Sequence, residues 1–189
     1  MKHGTAKATK HGGSGYGRFL AMIGTSTAVM FGLMYLNTYE LGHVRFSETR
    51  TYMAPYMGGA MSLIMLAFMW GMYRNRAANW AIVAGSALVF AVALFLVRSQ
   101  ATVEDAAWMK AMIPHHSIAI LTSERAAIDD VRVRRLADEI IEAQRREIEE
   151  MEWLLDDIAR NGAARTNAAA AGRPVPDFGT PDFGTTGGR

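Results

Sequence analysis

The sequence predicts an all-α protein in which three transmembrane helices are followed by a small, water-exposed helical hairpin. Three observations predict it. Apolar runs lie at Phe19–Leu36, Tyr52–Tyr73 and Trp80–Val97, each 18 to 22 residues long, enough to cross a hydrocarbon core about 30 Å thick as a helix. From residue 98 onward the chain turns charged. Within that part Ala137, Ile141, Gln144, Ile148, Met151, Leu155 and Ile158 recur in steps of four and three, the spacing of a helix packed on another helix.

The ends of the three runs carry Tyr16, Tyr35, Tyr39, Tyr52, Tyr56, Trp70, Tyr73 and Trp80, as expected of side chains at a membrane–water boundary. The first run is long for the core of a signal peptide, and no Ala-x-Ala cleavage site follows it. In it Gly24, Ala28 and Gly32 recur every fourth residue, a spacing that lets two membrane helices approach closely. The second run carries Met53, Met57, Met61, Met65, Met69 and Met72. Steps of four drift by about 40° around a helix, so this is a winding ridge. Packed or lipid-facing Met explains it, and a ladder for Cu(I) is the alternative. No ionisable residue and no His lies inside a run, so proton-coupled transport, voltage sensing and an embedded bis-His haem are not expected.

Orientation follows from positive charge. Residues 1–18 carry Lys2, Lys7, Lys10 and Arg18 and no acid, and Arg74 and Arg76 follow the second run. The loop 37–51 balances Arg45 and Arg50 with Glu40 and Glu48. Positive charge stays on the cytoplasmic side, so residues 1–18 read as a basic cytoplasmic tail. The three-helix region 19–97 then crosses a bacterial inner membrane, and the C-terminal part lies in the periplasm. Residues 98–161 hold nine Lys and Arg against fourteen Asp and Glu, so nucleic acid is not an expected partner. The chain has no cysteine, which excludes disulfides and thiolate chemistry.

The hairpin occupies 98–162. Thr102, with Asp105 three residues on, reads as a helix start that runs through Ala127, and Pro114 is expected to kink or restart it. Asp130 is the N-cap candidate for a second helix from Val131 to about Arg160, stopped by Asn161-Gly162. Residues 163–189, rich in Gly, Ala, Pro and Thr and carrying the repeat Pro176–Thr180 and Pro181–Thr185, read as a disordered tail.

Chemistry concentrates in Trp108-Met-Lys-Ala-Met-Ile-Pro-His-His116. On a helix Met109, Met112 and His116 share one stripe, and His115 lies three residues from Met112. Thioethers suit Cu(I), and imidazoles bind copper and zinc. Antiparallel pairing about a turn near Ile128-Asp129 places His116 across from Ile141, Met112 across from Arg145 and Met109 near Ile148. Met151 then stands close enough to add a third sulfur, Gln144 to orient a His ring, and Glu147 beside it. The plain alternative is that the Met residues only pack. Gly-rich phosphate loops, a nucleophile elbow, zinc-protease motifs and Glu-x-x-His pairs are absent, so no catalysis is expected.

The string Met112-Ile-Pro-His-His116, Ala119-Ile120, Asp130-x-Arg-Val-Arg134, Leu136-Ala137 and Gln144-x-x-Glu147-Ile-x-x-Met151 resembles a bacterial family known as domain of unknown function 305. The likeness covers about residues 103–158. It implies a ferritin-like helical fold and, as in some members, copper binding linked to copper or silver resistance. The ligands it implies are Met109, Met112, His115, His116 and Met151. Thr122 stands where many soluble members have Met, and Val131 where many have Pro.

The expectation is therefore a membrane-anchored periplasmic protein that binds Cu(I) or Ag(I) for storage, buffering or handover. Its expected partners are membrane lipid and copper-handling proteins. A hairpin of this length buries little core alone, so it is expected to dimerise into a four-helix bundle or to pack on its own membrane part. The alternative is a non-catalytic membrane scaffold with no metal site.

Overall fold

The computed structural model describes residues 12–179, and all regular structure among them is helical. Lys2, Lys7, Lys10 and the second repeat, Pro181–Thr185, lie outside the described residues. The helices are α1 (Gly12–Leu33), α2 (Glu48–Phe68), α3 (Arg76–Ser99), α4 (Asp105–Arg125), α5 (Val131–Asn161) and the short α6 (Asn167–Ala171), with a single 3-10 turn at Leu41–His43. They form two compact units. One is built of α1, α2 and α3; the other takes α4, α5 and α6 together with Met34–Glu48.

In the first unit, where three membrane spans were expected, one helix has the length and apolarity of a span. Among the described residues only α3 is long and apolar enough to cross a membrane. The reason lies in where the other two helices begin and end. The apolar run at 19–36 is cut at Leu33, while α1 reaches back through Tyr16, Gly17 and Arg18. The α2 helix starts at Glu48 and stops at Phe68, so Leu63–Phe68 is averaged with Arg50, Tyr52, Pro55 and the Gly58-Gly59 pair. The start of α3 is well defined: the Asn75 side chain accepts from the Ala78 amide at 3.1 Å. Asn79, fully buried, accepts from the Tyr16 hydroxyl at 2.8 Å and donates to the Tyr73 carbonyl at 3.0 Å.

Close helix approach is made by α2, not by the Gly24–Ala28–Gly32 row. A Cβ on Gly58 would collide with the Thr27 side chain, and one on Gly59 would lie 2.9 Å from the Ser86 carbonyl oxygen. Beside this crossing the Ser86 hydroxyl donates to Ser62 at 2.8 Å. A Cβ on Gly24 or Gly32 would meet nothing within 4 Å. Gly24 and Ala28 instead line an apolar groove of about 780 Å³. The buried positions of α2 are Arg50, Ala54, Gly58, Gly59, Ser62 and Leu66, so small residues, and not the methionine ridge, make its tight face.

In the second unit α4 and α5 pair. Helix α4 starts at Asp105, three residues later than read from Thr102, and continues without a break through Pro114. Proline in a helix interior removes one backbone bond. Here Pro114 is itself fully buried, between buried Met109 and Ile113 on one side and His116 and Ile120 on the other, and packing on both sides holds the helix. At the start of α5 the Asp130 side chain accepts from the Arg132 amide at 2.8 Å and from its guanidinium. The helix ends at Gly162, whose φ of 76° suits glycine and whose N–H reaches the Ile158 carbonyl.

The segment after Gly162 is not wholly irregular. Arg173 donates to the Asp157 carboxylate at 2.6 Å and to the Gly162 carbonyl at 3.1 Å. The Thr166 hydroxyl caps α6 by accepting from the Ala169 amide. Composition does not reveal such a pairing. The Asn161 side chain, and after it Arg173, hold the Asp157 carboxyl below the ordinary range.

The Asp130 cap carries a pH prediction. The Arg132 guanidinium, then its backbone N–H, lower the Asp130 pKa from 3.8 to about 2. A carboxylate depressed in the folded state stabilises fully above its unfolded value, and the contribution is lost as pH falls through the folded value. Asp130→Ala is expected to melt at lower temperature than the parent at pH 7, and the gap is expected to close between pH 3.8 and about 2. Thermal melts followed by circular dichroism across that range check it; a gap that stays constant with pH removes the capping role.

Candidate metal centre

Met109, Ile113, Ile120, Ile148 and Met151 form the buried apolar cluster between α4 and α5, with Met112, Ile141, Leu154, Leu155, Ile158 and Tyr39 packed against it. Met109 is 4 % and Met151 6 % exposed. Both were expected among the ligands, and both take the place of core side chains. A cleft of about 380 Å³ borders Met109, lined also by Glu104, Asp105, Trp108 and Leu154.

His116 is buried, and both its ring nitrogens are engaged. Nδ1 lies 3.0 Å from the Met112 carbonyl oxygen, and Nε2 lies 2.7 Å from Glu147 Oε2 on α5. The backbone contact fixes the ring plane, and Glu147 takes the orienting place expected of Gln144. The reason is register. His116 meets Glu147 and Glu124 meets Arg145 at 2.6 Å. These contacts centre the pairing several residues beyond Ile128-Asp129, although the connection from Ala126 to Asp130 is itself centred on Ile128. His115 is exposed, its ring centroid 6.3 Å from that of His116 at 66°. Met112 is half-buried one turn earlier. Thr122 turns its hydroxyl back onto the Ile118 and Ala119 carbonyls.

The candidate ligands thus divide. His116 meets Glu147, with His115 exposed beside it and Met112 half-buried one turn earlier, while Met109 and Met151 sit in the interior of the hairpin. Among the described residues no group of three or more His, Asp or Glu converges to hold a metal ion, so a site here needs the Met112 sulfur. A cation at His116 Nε2 also needs that nitrogen free of its proton and Glu147 moved aside or drawn in as an oxygen ligand.

Residues missed by sequence reasoning lie on the other side of the hairpin. Ser117, fully buried, accepts from the Tyr39 amide at 2.7 Å and is hydrogen-bonded to His43 Nδ1 at 3.0 Å. A hydrogen bond to Glu124 holds the Tyr39 hydroxyl above the ordinary phenol range. Arg45 bridges to Glu152 at 2.9 Å. Glu40 lies 3.8 Å from His43 Nε2, so Ser117, His43 and Glu40 stand in a row like a nucleophile, base and acid. The serine is sealed from solvent and the Tyr39 amide already occupies its oxygen, so the row works as a tether. The only local signal was a small polar residue, Ser117, in the stripe between Ile113 and Ile120.

Residues 98–178 match the family described as a domain of unknown function (DUF305). The chain is also similar to an uncharacterised protein, L153, of Acanthamoeba polyphaga mimivirus. The two are 29 % identical over 140 residues, 73 % of this chain and 90 % of the viral protein. No solved structure matches.

Proposed function

We propose that the protein is a membrane-anchored module that binds Cu(I) or Ag(I) through Met112, His115 and His116, with Glu147 beside them, for storage, buffering or handover to a copper-handling partner. One observation carries this reading: the Met112 carbonyl pins His116 Nδ1 and leaves Nε2 turned to Glu147, with exposed His115 next in sequence and half-buried Met112 one turn earlier. A thioether with imidazoles is a donor set suited to a soft monovalent ion. Met109 and Met151 leave the ligand set expected from the sequence and serve the core. The anchor is supported by α3 and by the exposed apolar surface of the first unit, including Leu20, Val29, Ile64, Leu88 and Phe95. The other two helices then lie alongside α3 in the bilayer. The basic N-terminal tail favours an inner-membrane orientation with the hairpin in the periplasm.

The second reading, a scaffold without metal, is favoured by the burial of Met109 and Met151 and by the closed His116–Glu147 pair. Titration of the full chain in detergent with Ag(I), and with Cu(I) under reducing conditions, separates the two. Micromolar or tighter binding is expected. His116→Ala and Met112→Leu are each expected to weaken it about tenfold or more, a change of about 1.4 kcal/mol per decade. Met109→Leu and Met151→Leu are expected to leave it within about twofold, since Leu and Met have similar volume. No binding by the parent would establish the scaffold instead, and affinities equal to the parent's in all four variants would remove these residues as the site.

A further inference from the structure

We propose that the hairpin pairs with a second copy of itself, antiparallel, through the face opposite residues 34–48, so that two copies close over the candidate metal centre. The sharing of the metal rests on the function proposed above; the pairing does not.

The face is defined by phase and exposure. Residues 34–48 cover the side of Ser117, Ile120, Ile148 and Glu152. On the other side, Trp108, Met112, His115 and Ala119 of α4 recur in steps of four and three, and so do Leu136, Ile140, Ala143 and Glu147 of α5. A helix with one neighbour needs one apolar stripe. Helix α5 has two: the seam through Ala137, Ile148 and Met151 that α4 buries, and this one. The second is open: Trp108 is 51 % and Leu136 55 % exposed, and Ala119 and Ala143 are half-buried.

Charge says what covers it. On or beside this face the first turns of α5 carry Arg132 and Arg135 and its later half carries Glu147 and Glu150, with Glu139 and Arg146 between them. Antiparallel pairing of identical chains sets each copy's basic end beside the other's acidic half; parallel pairing sets like against like. Arg132 and Arg135 are tied to Asp130 and Glu139 in surface pairs, which have little net strength. A two-fold arrangement is self-complementary. It also brings the middle of each stripe, where Met112 and His115 lie, toward the partner, supplying donors that one chain lacks.

The chain has no cysteine, so single cysteines report the interface cleanly. In full-length protein in nanodiscs, Ala143→Cys and Ala119→Cys are expected to crosslink into dimers with a short bismaleimide, and Glu149→Cys is not. Leu136→Glu, at an exposed position, is expected to abolish crosslinking at 143 and to give a monomer by light scattering. Monomers throughout, or equal crosslinking at 143 and 149, overturn the pairing. Ag(I) affinity about tenfold weaker in Leu136→Glu supports a shared centre, and equal affinity in both forms overturns the sharing. Crosslinking at 143 with no Ag(I) binding in the parent keeps the pairing and removes the metal.

Discussion

Replacing Ser117 with alanine is expected to release residues 34–48 from the hairpin and to lower the thermal midpoint of that unit by about 10 °C. Ser117 Oγ receives the Tyr39 amide at 2.7 Å and meets His43 Nδ1 at 3.0 Å, and the serine has no exposed surface. Alanine removes both bonds and leaves their partners without replacement. An unsatisfied buried polar group costs about 1–3 kcal/mol. Two of them give about 2–6 kcal/mol, and each kcal/mol shifts the midpoint of a small domain by about 4–8 °C, so about 10 °C is the lower end of the shift. The ring of Tyr39 also packs on the cluster around Ile113, so its departure exposes apolar surface. Hydrogen exchange reads the release directly: the Tyr39 amide is expected to lose protection while the middle of α5 keeps it. A Tyr39 amide still protected in Ser117→Ala would show that the other contacts, such as Arg45–Glu152, hold the segment unaided.

Gly59→Leu is expected to separate α2 from α3. Even the first added carbon would stand 2.9 Å from the Ser86 carbonyl oxygen and 3.2 Å from the Phe90 nitrogen. Both are backbone atoms that cannot rotate away. Overpacking costs about 1–3 kcal/mol when side chains can give, and here the helices themselves must move. The Ser62–Ser86 bond and the Tyr56–Phe90 ring contact, centroids 6.1 Å apart, go with them. Gly24→Leu is the control, since its Cβ meets nothing within 4 Å. Cysteines placed at Ser62 and Ser86 are expected to crosslink in the parent and in Gly24→Leu but not in Gly59→Leu. Retained crosslinking in Gly59→Leu would mean that the crossing is looser than its backbone distances imply.

What could be read from residue order is whatever depends on near neighbours along the chain. Asp130 and Gly162 bracket α5 because a cap and a stop act within one turn. The seam from Ala137 to Ile158 announces a packed helix because its period is local, and α3 announces itself by length and apolarity. Met109, Met112 and His116 were rightly placed on one stripe, yet spacing cannot tell a ligand from a core side chain. The structure adds their depth: Met109 sits at 4 % exposure and Met112 stays half-open.

The remainder required side chains distant in sequence to meet. Glu147 became the partner of His116 because the two helices pair in a register that periodicity leaves free. Gly58 and Gly59, not the evenly spaced glycines of α1, make the tight crossing because only there does another backbone arrive. The segment 34–48 joined the hairpin through Ser117 because a buried hydroxyl seeks partners wherever the chain brings them. Helical phase is written residue by residue; which faces touch is chosen by the length of connections and the reach of polar groups across them.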